Sequence, residues 1–210
     1  MHFTTRKEAG KKLAQELTDK IGNKSIVLGL ARGGMPVARE IAKKLNLELD
    51  VIVVRKIGSP MQPEYGLGAL SEAGTLVLDK DRMSGLSKDD LQDSVSIERK
   101  ELKRRAKLYR KGKSLNLIGK DVILVDDGLA TGVTARAAAI AAKKLGAKKI
   151  IFAAPVCALK SIPELMNHVD RVVCLIKPES LGAIGAFYES FEQVSDKEVI
   201  KTLSSASFPD

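Results

Sequence analysis

The chain has 210 residues, of which 44% are hydrophobic and 29% charged, a balance typical of a globular protein with one domain. No apolar run reaches the ~18 residues of a membrane span and the N-terminus lacks the apolar core of a signal peptide, so we expect a cytoplasmic protein without membrane contact. Two histidines, and two cysteines outside any C-x-x-C pair, argue against a metal centre, whereas the net charge of +9 suits a polyanionic ligand.

Apolar runs bounded by turn residues predict strands, and segments with helical spacing begin at capping residues such as Thr5, Ser87 and Ser195. Strands alternate with helices up to about residue 176. This alternation predicts an α/β fold, a doubly wound parallel β-sheet flanked by helices, in one domain over residues 1–210. The predicted elements are helix 5–21, strand 25–30, helix 34–45, strand 50–54, short strand 75–78, helix 87–111, strand 122–125, a helix that ends at 145, strand 149–154, a short helix from 161, strand 171–176 and a helix from 195.

Polar and glycine residues follow the first two predicted strands. Gly33 and Gly34 let the backbone approach a ligand closely, and Arg32 can bind phosphate oxygens through two parallel hydrogen bonds. The second strand ends at two basic residues, Arg55 and Lys56. Because parallel strands end at the same edge of a sheet, we expect these residues to converge on one polyanion.

The stretch 57–74 is rich in Gly, Pro and Ser and has no hydrophobic periodicity. A loop of this length inside a compact domain is usually functional. We therefore interpret 57–74 as a mobile loop.

The most informative segment is 122–134, in which four apolar residues lead directly to Asp126 and Asp127. The apolar run is typical of a strand buried on both faces, and the acids stand where open α/β sheets bind ligands. A turn with free backbone amides follows and leads into a helix, which favours a bound phosphate. It consists of Gly128, Leu129, Ala130, Thr131, Gly132, Val133 and Thr134. Two acids beside an anion site fit a sugar phosphate; the alternative is an acidic pair that only caps the next helix.

Segment 122–134 resembles the signature for 5-phosphoribosyl-1-diphosphate (PRPP) of type I phosphoribosyltransferases. The resemblance implies that Asp126 and Asp127 hold the ribose hydroxyls and that 128–134 holds the 5-phosphate. It also makes the turn with Arg32, Gly33 and Gly34 the diphosphate loop, where this family often has a cis peptide bond.

Two further stretches resemble parts of the same family. The Arg55-Lys56 pair with Glu64-Tyr65-Gly66 looks like the mobile catalytic loop of adenine-type members, which makes Glu64 and Tyr65 the catalytic candidates. The tail from 183 to 196 resembles an uncharacterised bacterial and archaeal group of phosphoribosyltransferases. The family also implies a small hood subdomain over the base, which would come here from 1–12 and 155–192.

The resemblance implies Mg²⁺-dependent transfer of the phosphoribosyl group of PRPP to a nucleobase or a related nitrogen nucleophile, with release of diphosphate. It also implies a homodimer. Ala130 departs from the family, since many members place Asp before the Thr-Gly pair. One alternative is a non-catalytic PRPP-sensing regulator that binds DNA or RNA through the basic helix 99–111, although basic runs are usually solvated helix faces and nucleic acid is the less favoured partner.

Overall fold

The computed structural model describes residues 2–22, 24–58, 66–79 and 87–205. Its strands are β1 (Ser25–Leu30), β2 (Glu48–Ile52), β3 (Val54–Gly58), β4 (Gly66–Ser71), β5 (Leu76–Leu78), β6 (Asp121–Val125), β7 (Lys149–Val156) and β8 (Arg171–Ile176). Its helices are α1 (Arg6–Leu17), α2 (Gly34–Leu45), α3 (Lys88–Tyr109), α4 (Val133–Lys144), α5 (Ile162–Met166) and α6 (Asp196–Ser204). None of the described helices is both long enough and apolar enough to cross a membrane.

Five parallel strands form the central sheet in the order β2-β1-β6-β7-β8. This order confirms the predicted doubly wound sheet. The direction of winding reverses between β1 and β6, which lie side by side with Leu28 opposite Leu124. Such a reversal opens a crevice at the carboxyl ends of the two strands, which is where ligands bind in this class of sheet.

Both faces of this sheet are buried, which explains the continuous apolar runs of its strands. Alternate residues of one strand pack in two different hydrophobic cores. Val27 packs in the core formed with α1, α2, α3 and α6, whereas Ile26 and Leu28 pack in the core formed with α4. In β6, Ile123 and Val125 likewise belong to the first core.

A second, three-stranded antiparallel sheet corrects the sequence-based interpretation of 50–74. The predicted strand 50–54 is divided at Val53: β2 stays in the parallel sheet, and β3 pairs with β4, with Arg55 opposite Leu70. Residues 57–74 are therefore not one irregular loop. The sequence of β4, Gly-Leu-Gly-Ala-Leu-Ser, is poor in the β-branched and aromatic residues that indicate strands.

Three helices begin at the predicted caps. The hydroxyl of Thr5 accepts a hydrogen bond from the amide of Glu8 at 3.2 Å, and Ser87 accepts one from Asp90 at 3.1 Å. At α6 the two residues form a reciprocal capping box, because the Glu198 carboxylate also accepts a hydrogen bond from the amide of Ser195 at 2.7 Å. These local contacts fix where α1, α3 and α6 start.

Candidate functional site

A cleft of about 870 Å³ lies at the carboxyl ends of β1 and β6. Ligand pockets commonly fall in this range of volume. The predicted site residues that line the cleft are Arg32, Gly33, Arg55, Lys56, Asp126, Asp127, Gly128, Leu129, Ala130, Thr131, Gly132 and Thr134. Further residues of the cleft were not predicted individually, although some of them fall in the predicted hood, the tail or the basic helix. They are Arg6, Ser94, Ile97, Glu98, Arg105, Ile184, Gln193 and Val194.

The two acids after β6 stand side by side in the cleft but differ in environment. The amide of Asp127 donates a hydrogen bond to Oδ1 of Asp126 at 2.9 Å, while the Asp127 carboxylate forms an ion pair with Arg6 at 2.7 Å. Loss of solvation and the neighbouring charge of Asp127 raise the pKa of the Asp126 carboxyl well above its ordinary value. The hydroxyls of a ligand would therefore meet two different carboxyl groups. That of Asp126 is shielded from water, and the charge of Asp127 is compensated by Arg6.

The turn after the acids is fixed to the neighbouring strand. The amide of Leu129 donates to the carbonyl of Val156, and the carbonyl of Leu129 accepts from the amide of Ala158, both at 2.8 Å. Ser161 Oγ donates to the carbonyl of Ala130 at 2.5 Å. Leu129 is buried and its amide is bonded to the carbonyl of Val156, whereas phosphate binding by the turn 128–134 as a whole stays a prediction.

The predicted anion site would lie at the start of α4. Gly132, with φ 77°, is the N-cap residue, and Thr134 in the first turn lines the cleft together with Thr131. The first amides of a helix have no partner within it, so they are free to bind an anion. Val133 itself is buried and does not line the cleft.

The turn after β1 packs closely against the acids. A Cβ atom at Gly33 would lie 2.2 Å from Oδ2 of Asp127, and one at Gly34 would lie 2.3 Å from the carbonyl oxygen of Val125. Gly34 is thus buried against β6, and its predicted contact with a ligand stays a prediction. The peptide bond between Ala31 and Arg32 is cis, in agreement with the resemblance.

Each arginine of the cleft is paired with an acid. Nη1 of Arg32 lies 3.8 Å from Oδ1 of Asp196, the first residue of α6. Nε of Arg55 lies 2.6 Å from Oε2 of Glu98 on α3. Arg55 and Lys56 lie within β3 and not at the end of a parallel strand as predicted, but both still line the cleft. The two catalytic candidates, Glu64 and Tyr65, lie outside the described residues.

The N-terminal segment meets the segment around Tyr188 beside the acids. Phe3 pairs with the segment around Tyr188: its amide donates to the carbonyl of Phe187 at 2.9 Å, and its carbonyl accepts from the amide of Glu189 at 2.9 Å. The hydroxyl of Tyr188 donates to the backbone carbonyl of Asp127 at 2.7 Å. The N-terminal segment and the tail thus form one wall next to the acidic pair.

Several charges of the basic helix α3 are already neutralised. Arg104 pairs with Glu101 at 2.7 Å and with Asp196 at 2.6 Å, and Arg105 pairs with Glu101 at 2.7 Å. Arg110 pairs with Glu72. These pairs leave a smaller positive surface than the sequence indicates.

Comparisons with known proteins agree with this geometry. Two Mycobacterium tuberculosis proteins, each named "Putative phosphoribosyl transferase", are 43% identical to the chain over 208 residues. The match covers 97% of this chain but 47% of each relative, so the chain spans about half the length of the curated relatives it matches.

Solved structures show the same fold. The crystal structure of TT1426 from Thermus thermophilus superposes with a TM-score of 0.79 at 38% identity, covering 98% of this chain and 99% of that one. The adenine phosphoribosyltransferase of Giardia lamblia superposes with a TM-score of 0.50 at 16% identity, covering 82% and 79%, and shows the fold alone. The model of the phosphoribosyl transferase domain matches residues 4–189, and the chain therefore belongs to the phosphoribosyl transferase domain family.

Proposed function

We propose that this protein transfers the 5-phosphoribosyl group of PRPP to a nucleobase or a related nitrogen nucleophile and releases diphosphate. One observation carries the proposal: two adjacent carboxyl groups, a helix start with free amides and a set of cationic side chains line the same cleft. A ligand that suits all three must carry vicinal hydroxyls between two phosphorylated ends. PRPP has this arrangement.

We assign the binding of the sugar phosphate end of PRPP to the segment after β6. Thr131, Thr134 and the first amides of α4 would hold the 5-phosphate, and Asp126 and Asp127 would accept hydrogen bonds from the ribose hydroxyls. Binding at these groups, which are remote from the broken bond, would hold the reacting carbon in place. The acidic pair would also stabilise positive charge that develops on the sugar as the bond breaks.

The diphosphate end is assigned to Arg32, the Gly33 turn, Arg55 and Lys56. Cations at this position stabilise the negative charge that grows on diphosphate as it leaves. Water must be kept from this end, because hydrolysis would otherwise compete with transfer to the acceptor. Glu64 and Tyr65, which lie outside the described residues, remain our predicted catalytic residues.

The residues present suit a Mg²⁺ ion that arrives with the substrate. The described residues contain no group of three or more His, Cys, Asp or Glu side chains that could hold a metal ion by themselves. Mg²⁺ usually keeps several waters and binds through one or two carboxylates together with substrate phosphates. The ion would bind chiefly to oxygens of the substrate and would compensate the charge of the diphosphate.

We assign the binding of the acceptor to the wall formed by the N-terminal segment and the tail. This wall overlaps the predicted hood from 1–12 and 155–192. Ile184 packs against Gly128 so closely that a Cβ atom on the glycine would lie 2.4 Å from Cδ1 of Ile184. This contact supports the assignment, because it brings an apolar side chain next to the segment that would bind the ribose. As the family resemblance implies, we also expect a homodimer.

Calorimetric titration with PRPP, with and without Mg²⁺, tests the proposal directly. We expect binding that depends on Mg²⁺ and is abolished in the double variant Asp126→Asn/Asp127→Asn. Incubation of PRPP with a panel of bases then identifies the acceptor by diphosphate release. Absence of PRPP binding to folded wild-type protein would overturn the proposal.

Loss of one charged contact to the ligand should slow the reaction measurably. A hydrogen bond to a charged group is worth about 1.5–3 kcal/mol, so we expect Asp127→Ala and Arg32→Ala each to lower turnover at least about tenfold. Steady-state rates with the acceptor found above check this. Unchanged rates in both variants would contradict the site assignment.

A PRPP-sensing regulator that binds nucleic acid is the second candidate, and the ion pairs of α3 count against it. If it were correct, DNA or RNA affinity would fall steeply with salt, and diphosphate would not be released with any base.

A further inference from the structure

We propose that Arg6 is a positioning residue that holds the Asp127 carboxylate in the orientation needed to accept the ribose hydroxyls. The inference rests on the proposed function and gives a specific role to Arg6, which lies in the predicted hood segment 1–12 but was not itself predicted to bind or position a ligand. Arg6 would act through Asp127 and not on the reacting atoms.

The contact between the two side chains is short and shielded. Nε of Arg6 lies 2.7 Å from Oδ2 of Asp127, and the side chains are 11% and 15% exposed. A charge-assisted hydrogen bond of this length is stronger than a neutral one. The ion pair uses Oδ2 and leaves Oδ1 as the oxygen that can accept from a ligand.

Arg6 is itself fixed by the tail of the chain. Its Nη1 donates to the carbonyl of Glu192 at 2.8 Å, and its guanidinium carbon lies 3.6 Å from the centre of the Phe191 ring. The flat guanidinium stacks on this ring while its edge bonds to the acid. Three contacts thus hold a long side chain that would otherwise have many rotamers.

The same wall holds Asp127 from a second direction. Tyr188 donates to the backbone carbonyl of Asp127, and the Tyr188 and Phe191 rings stack with centroids 5.0 Å apart. Side chain and backbone of Asp127 are therefore both restrained before any ligand arrives. Such preorganisation lowers the conformational entropy that the site itself must lose when a ligand binds.

The charge of Arg6 also allows two acids to stand side by side. Asp126 and Asp127 repel each other as anions, and burial already disfavours the charged form of Asp126. With Arg6 removed, the Asp127 carboxylate would lose its counter-charge and could rotate away from its neighbour. The ribose hydroxyls would then have no fixed carboxylate oxygen to which they could donate hydrogen bonds.

A merely structural role makes a different prediction. If Arg6 only tied α1 to the tail, its loss would lower stability and would reduce the affinity for all ligands of the cleft equally. If it positions Asp127, its loss would weaken ligands that carry the ribose hydroxyls and spare those that do not.

Calorimetry with ribose 5-phosphate and with inorganic phosphate separates these roles. In wild-type protein we expect ribose 5-phosphate to bind more tightly than phosphate. Arg6→Ala should lower the affinity for ribose 5-phosphate by about 10- to 100-fold, while the affinity for phosphate stays within about twofold of the wild-type value. Lys7→Ala is the matched control, since Lys7 lies on the same helix with an exposed side chain and loses the same charge. Arg6→Lys keeps the charge and should recover part of the affinity.

A double-variant cycle tests whether Arg6 acts through Asp127. In the background of Asp127→Asn, the further change Arg6→Ala should have little additional effect on ribose 5-phosphate. Full additivity would overturn the inference, and so would an Arg6→Lys variant that is folded but binds no better than Arg6→Ala. If Arg6→Ala does not fold, Phe191→Leu, which removes the stacked ring, should still lower ribose 5-phosphate affinity selectively. Failure of wild-type protein to prefer ribose 5-phosphate would instead contradict the proposed function.

Discussion

Replacement of Gly33 by alanine should disable the site without disturbing the backbone. Its φ and ψ of −59° and −33° suit any residue, so no strain arises from the substitution itself. The new Cβ would lie 2.2 Å from Oδ2 of Asp127 and would displace the carboxylate. We expect ribose 5-phosphate affinity to fall at least about tenfold, the typical effect of losing a bond to a charged group, as measured by calorimetry.

Gly182→Ala is the control for this experiment, because a Cβ at Gly182 would have no neighbour within 4 Å. Equal affinities of the Gly33→Ala variant and wild type would show that the close contact between the two loops does not set the position of Asp127.

Asp126 and Asp127 were predictable from the sequence because they follow a buried strand and precede a glycine-rich turn, a pattern that is visible in thirteen consecutive residues. Arg6, by contrast, is 121 positions away from its partner Asp127. Nothing in the sequence around Arg6 distinguishes it from the lysines of the same helix, so only the fold reveals this contact.

Asp126 should make the protein less stable as the pH rises. Its pKa is raised in the folded protein, so above the unfolded value, about 3.9, the folded state binds more protons than the unfolded state. Stability therefore falls with increasing pH until the pH passes the folded pKa. Asp126→Asn removes this dependence, and we expect it to raise the melting temperature at about pH 7 while it weakens ribose 5-phosphate binding.

Thermal melts of wild type and Asp126→Asn between about pH 4 and pH 8 check this sign. The stability gained by the variant should be smallest at the acid end of this range and should grow as the pH rises. A constant difference across the range would mean that Asp126 does not keep its proton in the folded state. Asp19→Asn, at an exposed position, is the control for the loss of one carboxylate.

Whole elements were predictable where apolar periodicity and capping agree, and this covers most of the parallel sheet and its helices. The bounds of β1, α2 and β8 coincide with the prediction. The antiparallel sheet was missed because its middle strand, β4, is buried along nearly its whole length and has neither alternation nor β-branched residues. Its pairing depends on β3 and β5, and such tertiary context overrides weak local preference.

The capping box of α6 should contribute measurably to stability. Ser195 accepts from the amide of Glu198, and the Glu198 carboxylate accepts from the amide of Ser195. Loss of such a cap costs about 0.5–2 kcal/mol, so Ser195→Ala should lower the free energy of unfolding by that amount in urea titrations. Ser205→Ala, at the other end of the helix, should change it by less than about 0.5 kcal/mol.

The whole molecule depends on the junction at which the chain leaves the parallel sheet for the antiparallel one. Glu72 occupies this junction: its Oε1 accepts from the amide of Val53 at 2.8 Å, and its carboxylate pairs with Arg110 near the end of α3. Arg110 also donates to the carbonyl of Val51 at 2.9 Å. One ion pair thus joins α3 to both sheets, and β3 carries Arg55 and Lys56 from this junction into the cleft.

This pair should be worth more than an exposed one. Both side chains, Glu72 and Arg110, are 8% exposed, and removal of one partner leaves an uncompensated buried charge, which typically costs about 3–5 kcal/mol. We therefore expect Glu72→Ala to lower the free energy of unfolding by about this amount in urea titrations. Glu48→Ala breaks the more exposed pair with Lys120 and should cost less than about 1 kcal/mol. If the two variants were equally stable, the junction would not depend on this ion pair, and the position of β3 would have to be set by the packing of β4 alone.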